Sequence, residues 1–128
     1  MGSAAKVALA DLVKEPWALP RPVTALGSVC AEAFRVSGLD YPRTTVFTNH
    51  PELRTTLLTT GRFLTIFSMS VLKFTSARPE LKVLPIELPL ARVPVGIVTL
   101  KNRTLSPVAR LFVDNAREVA KPLARSKQ

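Results

Sequence analysis

Strand-like and helix-like segments alternate along this chain, which places it in the α/β class as a parallel-rich mixed sheet flanked by helices. Three observations lead there. Leu26, Val29, Cys30, Ala33, Phe34 and Ser37 recur at the i, i+3, i+4, i+7 spacing of an amphipathic helix. β-Branched and aromatic clusters at 44–48 and 63–67 bracket a second helical stretch. Strands separated by helices of this length need crossover connections, which makes βαβ units and parallel pairing the economical arrangement.

Taken in order, Leu9, Leu12 and Val13 predict a short helical turn begun near Asp11 and broken where Glu15 precedes Pro16. Trp17-Ala18-Leu19-Pro20 reads as a short strand. The helix carrying Cys30 and Phe34 is stopped by Gly38, which suits the left-handed residue after a helix end. Tyr41-Pro42 makes a turn, and Thr44-Thr45-Val46-Phe47-Thr48 alternates as a strand ending at Asn49-His50. Pro51 fits a first helical turn, where a missing N–H costs nothing, and Leu53, Leu57 and Leu58 supply an apolar stripe up to Gly61. Phe63-Leu64-Thr65-Ile66-Phe67 is apolar almost throughout, as a strand covered on both faces should be. Leu81 to Leu88 alternates around Pro85, which confines it to an edge or connecting strand. Val95 to Leu100 reads as another strand. Ser106-Pro107 opens a final helix with Val108, Leu111, Phe112, Asn115 and Val119 on one face, and Pro122 ends the order.

The 128 residues are 47% hydrophobic and 21% charged, enough for a core without staples, so disorder is excluded for most of the chain. One cysteine, Cys30, cannot form an internal disulfide, and one histidine, His50, cannot complete a His/Cys zinc cluster. Met1-Gly2-Ser3 starts no basic-then-apolar export signal, and no apolar run approaches the ~20 residues that span a bilayer. The expectation is a soluble cytoplasmic protein without cofactor, metal or membrane contact. The net charge of +9 leans towards the C-terminus: residues 1–80 carry nine basic and six acidic side chains, residues 81–128 nine and three.

Little chemistry can be assembled. A lone histidine at a strand-to-helix junction is more often a loop or ligand-contacting residue than a catalytic base, and no triad partners accompany it. Cys30 lies on the apolar face of its helix and reads as a structural thiol. Neither G-x-G-x-x-G nor G-x-x-x-x-G-K-[ST] occurs, and the carboxylates are scattered. The chain is therefore expected not to be an enzyme. Lys101, Arg103, Arg110, Arg117, Lys121, Arg125 and Lys127 are spread over a loop, helix and tail, a pattern of solvated faces rather than of a nucleic-acid patch, and no helix-turn-helix can be built.

The positive signal is architectural. In open parallel sheets ligands sit beyond the carboxyl ends of the strands, where helix N-termini favour anions. Three such ends are identifiable: Pro20-Arg21, Thr48-Asn49-His50 and Phe67-Ser68-Met69-Ser70. They are rich in hydroxyl, amide and imidazole groups and poor in carboxylates. Arg21, Thr48, Asn49, His50, Phe67, Ser68 and Ser70 are the candidate ligand-facing residues, with Arg21 or the helix starting at Pro51 meeting an acidic ligand. The competing reading is that Thr48 and Asn49 merely cap that helix.

Leu9-Ala10-Asp11-Leu12 with Glu15-Pro16-Trp17-Ala18-Leu19 resembles the L-x-D-L…E-P-[WF]-[VI]-[LM] stretch of the effector-binding region of LysR-type transcriptional regulators. Thr60-Gly61-Arg62-Phe63-Leu64-Thr65-Ile66-Phe67 resembles its A-G-x-G-[IV]-x-[LIV]-[LIV]-P segment. Pro94 to Leu100, then Leu105-Ser106-Pro107-Val108-Ala109-Arg110-Leu111-Phe112, is similar to its closing strand and L-S-P-x-[AV]-x-x-[FL] helix. Phe63 replaces a usual second glycine and Ser68 a usual proline. The resemblance implies one subdomain of a type 2 periplasmic-binding-protein fold: residues 1–92 as the second subdomain of the effector-binding region, with 1–6 a leader, and 93–128 as the returning strand, closing helix and basic tail. On this reading the chain is truncated, starting inside the second subdomain and lacking the opening part of the first. A strand at 95–100 without its usual sheet would fill the vacant edge of this subdomain's own sheet, or of a second copy's by strand swapping.

The resemblance thus implies a sensing module that binds a small polar or anionic metabolite, favours one of two conformations of a bacterial regulator and so modulates transcription, within a homo-oligomer and without contacting nucleic acid itself. Two other classes remain: a free-standing basic protein binding nucleic acid, and a fragment of a periplasmic solute-binding protein.

Overall fold

The computed structural model describes residues 7–43, 45–74, 81–90 and 92–125. The chain divides into two compact units, Met1–Ala91 and Arg92–Gln128.

In the first unit the order is α1 (Leu9–Leu12), β1 (Trp17–Leu19), α2 (Ala25–Val36), β2 (Thr45–Phe47), α3 (Pro51–Thr59) and α4 (Met69–Phe74). The single turn of α1 begins two residues before Asp11. Asp11 closes it from inside, accepting a 3.0 Å hydrogen bond from the Ala8 backbone N–H. Thr24 caps α2: its hydroxyl oxygen accepts from the Gly27 N–H at 3.1 Å and its hydroxyl donates to the Arg21 carbonyl at 2.8 Å. Gly38 ends the helix at φ +71°, the left-handed conformation that glycine adopts without strain.

β1 is the hub. It pairs in parallel with β2, Trp17 opposite Thr45 and Leu19 opposite Phe47. It also forms a parallel bridge from Trp17 to Leu64. These two partners lie on opposite edges, because backbone groups along a strand alternate in direction. Leu64 bonds to the Pro16 carbonyl and Ala18 N–H, whereas the Leu19 carbonyl accepts from Thr48. The order is therefore β2, β1, then the 63–67 segment. That segment is less than the strand expected: beyond Leu64 it is held by Thr65, whose hydroxyl donates to the Ala18 carbonyl at 2.6 Å.

All three residues of β1 are buried, and Leu9, Trp17, Leu19, Cys30, Phe34 and Ile66 form the core. Trp17 meets Phe34 edge-on at 5.4 Å, and Phe34 meets Tyr41 edge-on at 5.6 Å. The expected apolar stripe of α3 is not what it buries. Leu53 is half exposed, Leu57 and Leu58 are only partly covered, and Arg54 and Thr55 are the buried residues. Residues 81–90 form no strand; tight turns from Leu84 to Ile86 and from Leu88 to Leu90 break the expected ladder, while Leu88 and Leu90 still pack on the core. Thr44 and residues 75–80, which include Arg78-Pro79, lie outside the described residues.

In the second unit α5 (Pro107–Arg125) is capped by Ser106, whose hydroxyl accepts from the Ala109 N–H at 3.2 Å. It continues through Pro122 instead of stopping there. The proline forfeits one backbone bond in the last turns, while the preceding turn is tied by a Lys121–Glu118 ion pair. Val108, Leu111, Phe112 and Val119, expected to share one face, are exposed, and Val113 is the buried residue. Residues 95–100 form no ladder among the described residues, with Val95 98% and Val98 95% exposed. The strand expected over 95–100 is therefore not formed among the described residues. A β-pattern needs a partner edge before it becomes a strand.

Candidate functional site

The carboxyl ends of β1, β2 and the 63–67 segment lie at one edge of the sheet, since all three run parallel. The chain leaves β1 towards β2 on one side, then returns across β1 to Leu64 on the other. The gap between β1 and the 63–67 segment is consequently the topological switch point, where open α/β sheets leave a crevice. Pro20-Arg21 and Phe67-Ser68 flank it, and α2 and α4 begin beyond it.

Arg21 is exposed, with its guanidinium carbon 5.8 Å from the Phe47 ring centroid. Phe47 stacks on Tyr41 at 6.5 Å, and Tyr41 donates its hydroxyl to the Pro20 carbonyl at 2.8 Å. An aromatic series thus runs from Trp17 in the core to Arg21 at the edge and fixes where that edge lies. Burial pushes the Tyr41 phenol well above its ordinary range and raises the Cys30 thiol, so both remain neutral, and Cys30 has the packing role expected of it.

The edge also depends on Gly27. A Cβ there would sit 1.7 Å from the Arg21 carbonyl oxygen, so only glycine lets α2 start this close to the end of β1.

Thr48 and Asn49 do not cap α3. The cap position belongs to His50, which makes no side-chain capping bond. Thr48 is partly buried, and its hydroxyl oxygen accepts from the His50 N–H at 3.2 Å, shaping the turn before the helix. Asn49 and His50 are exposed.

Phe67 is partly buried and Ser68 exposed, and the Ser68 carbonyl accepts from Val71 as α4 begins. Ser70 falls inside α4, not in the expected loop.

Arg54, which the sequence reading passed over, comes up beneath this edge. It is 3% exposed, stacks its guanidinium 4.5 Å from the Phe67 ring centroid and donates from Nη1 to the Ile66 carbonyl at 3.3 Å. Among the described residues its buried Nε has no hydrogen-bond partner. The signal for it was its spacing: Arg54 stands at i, i+3, i+4 with Leu57 and Leu58, on the stripe that was expected to be wholly apolar. Among the described residues no group of histidine, cysteine or carboxylate side chains could hold a metal.

Among the described residues, no helix is long and apolar enough to cross a membrane. No curated protein and no solved structure matches the chain. The family model for the LysR substrate binding domain matches residues 2–121. Such domains have a periplasmic-binding-protein-like fold, with which the helices and small parallel sheet seen here are compatible, and they serve regulators rather than enzymes. The chain belongs to the LysR substrate binding domain family.

Proposed function

We propose that this chain is a ligand-sensing module of a bacterial, cytoplasmic LysR-type regulator, and that it does no chemistry. A small polar or anionic metabolite meets the sheet edge formed by Arg21, Thr48, Asn49, His50, Phe67 and Ser68, and changes transcription by binding one regulator conformation more tightly than another. The observation that carries this reading is the convergence of Arg21 and Phe67-Ser68 on the two sides of the switch point. The polar groups there are hydroxyl, amide, imidazole and guanidinium.

A thermal-shift screen of the chain against small metabolites tests it. Hits that raise the melting temperature should lose their effect in Asn49→Ala and Arg21→Ala. Hits that act equally on both variants would place the ligand elsewhere.

A second reading rests on the charge of the second unit, whose eight basic and two acidic side chains leave +6 on 37 residues. Four of the basic groups, Arg110, Arg117, Lys121 and Arg125, are exposed on α5. This favours an anionic polymer as an alternative partner. A salt titration of DNA binding decides it, because phosphate contacts weaken steeply with salt. Absence of binding at low salt rejects it.

A further inference from the structure

We propose that Arg54 makes the sensing edge selective for negatively charged ligands, carboxylates above all. The inference rests on the proposed sensing role of this edge and names the ligand chemistry it admits. A guanidinium taken out of water is costly unless a counter-charge or a full set of acceptors compensates it. Among the described residues Arg54 meets one carbonyl and one aromatic face, its Nε has no partner, and neither ion pair involves it.

Three placements set that charge, which has no counter-charge among the described residues, beside the edge. Its carbonyl partner, Ile66, and its stacking partner, Phe67, are the last residues before Ser68. Its own helix, α3, starts at the same edge with no side-chain cap, so the first-turn N–H groups and the helix dipole add positive potential there. The acidic residue of its first turn, Glu52, is exposed, where solvent screens it. The charge of Arg54 acts from a dry site, in which a field reaches further than it does through water. An anion seated between Arg21 and Ser68 supplies the missing counter-charge, whereas a neutral ligand of the same shape leaves it missing.

The test uses the full chain, isotopically labelled, with succinate and its neutral diamide succinamide as probes at constant ionic strength. The Arg54 Nε–H resonance and the backbone resonances of Glu52, Leu53 and Ser68 are followed by NMR. Succinate should shift them with an affinity at least about tenfold above that of succinamide. Arg54→Met should bring that ratio close to one, and Arg54→Lys, which keeps the charge, should retain most of it. A purely structural role for Arg54 would lower stability in both variants and leave the ratio intact, which would overturn the proposal. Equal binding of the two probes by the unaltered chain would also overturn it while leaving a sensing edge in place. Binding of neither probe at the edge would remove both readings.

Discussion

Replacing Gly27 with alanine should destabilise the first unit, against the usual effect of that exchange in a helix. In an exposed helix interior, alanine gains about 1 kcal/mol over glycine. Here the new Cβ would lie 1.7 Å from the Arg21 carbonyl oxygen, 2.5 Å from its carbon and 2.9 Å from the Thr24 hydroxyl oxygen. The carbonyl belongs to backbone and cannot swing away as a flexible side chain would, so the start of α2 and the end of β1 must separate by more than an ångström. Overpacking of this kind costs about 1–3 kcal/mol. Separation also weakens the Thr24 cap, a contribution of about 1 kcal/mol. The expected net loss is about 2 kcal/mol. Urea unfolding followed by fluorescence measures it well, because the sole tryptophan, Trp17, is 3% exposed in this unit. Gly38→Ala is the contrast: at φ +71° with open space around it, it pays backbone strain alone and leaves Arg21 in place. A Gly27→Ala chain as stable as the parent would refute the account of how α2 is seated.

Tyr41→Phe should cost about 1 kcal/mol by leaving the buried Pro20 carbonyl without its donor, and should loosen Arg21, which a ligand titration would record as weaker binding. Thr65→Val should lower protection of the Leu64 amide in hydrogen exchange, since the Thr65 hydroxyl bond to Ala18 is one of the few ties holding that segment to β1. Stability should fall as pH rises above about 9, where the unfolded chain begins to lose the Cys30 proton while the folded chain keeps it, and fall more steeply above about 10, where Tyr41 joins. Both groups are raised mainly by burial, so stability is unaffected by them at lower pH. Cys30→Ala should flatten the first part of that decline in urea titrations, and an unchanged slope would contradict it.

Periodicity identified the features that local chemistry determines. The helix through Cys30 and Phe34, its stop at Gly38, the strand at Trp17 and the Ser106-Pro107 helix start all follow from spacing, caps and backbone restrictions, and the structure has them. It was less informative where long-range partners decide. Val95 to Leu100 has a strand's composition, but a ladder needs an edge, and residue pattern does not say whether one is available. Phe63 to Phe67 looked like a full strand, yet a three-residue β1 offers it only one bridge. The three strand ends of the candidate edge were located by the rule that loops after parallel strands gather at one end. Arg54 was missed because a charged side chain among leucines reads as solvent-facing, and its burial becomes visible only once Phe67 and Ile66 are brought over it.

The shortness of β1 has a dynamic consequence. The three residues of β1, with Pro16 before them, carry the pairing to both neighbours, so β2 and the 63–67 segment pair with the same hub and not with each other, and each has its own set of bonds to lose on fraying. A molecule seated across Thr48 and Ser68 would bridge the two openings directly, adding to the Arg54 contacts that tie α3 to Ile66 and Phe67. Its arrival would appear as joint protection of the Thr48 and Leu64 amides, making the sheet's two halves fluctuate as one, and a regulator can transmit such a loss of independence without any large displacement of backbone.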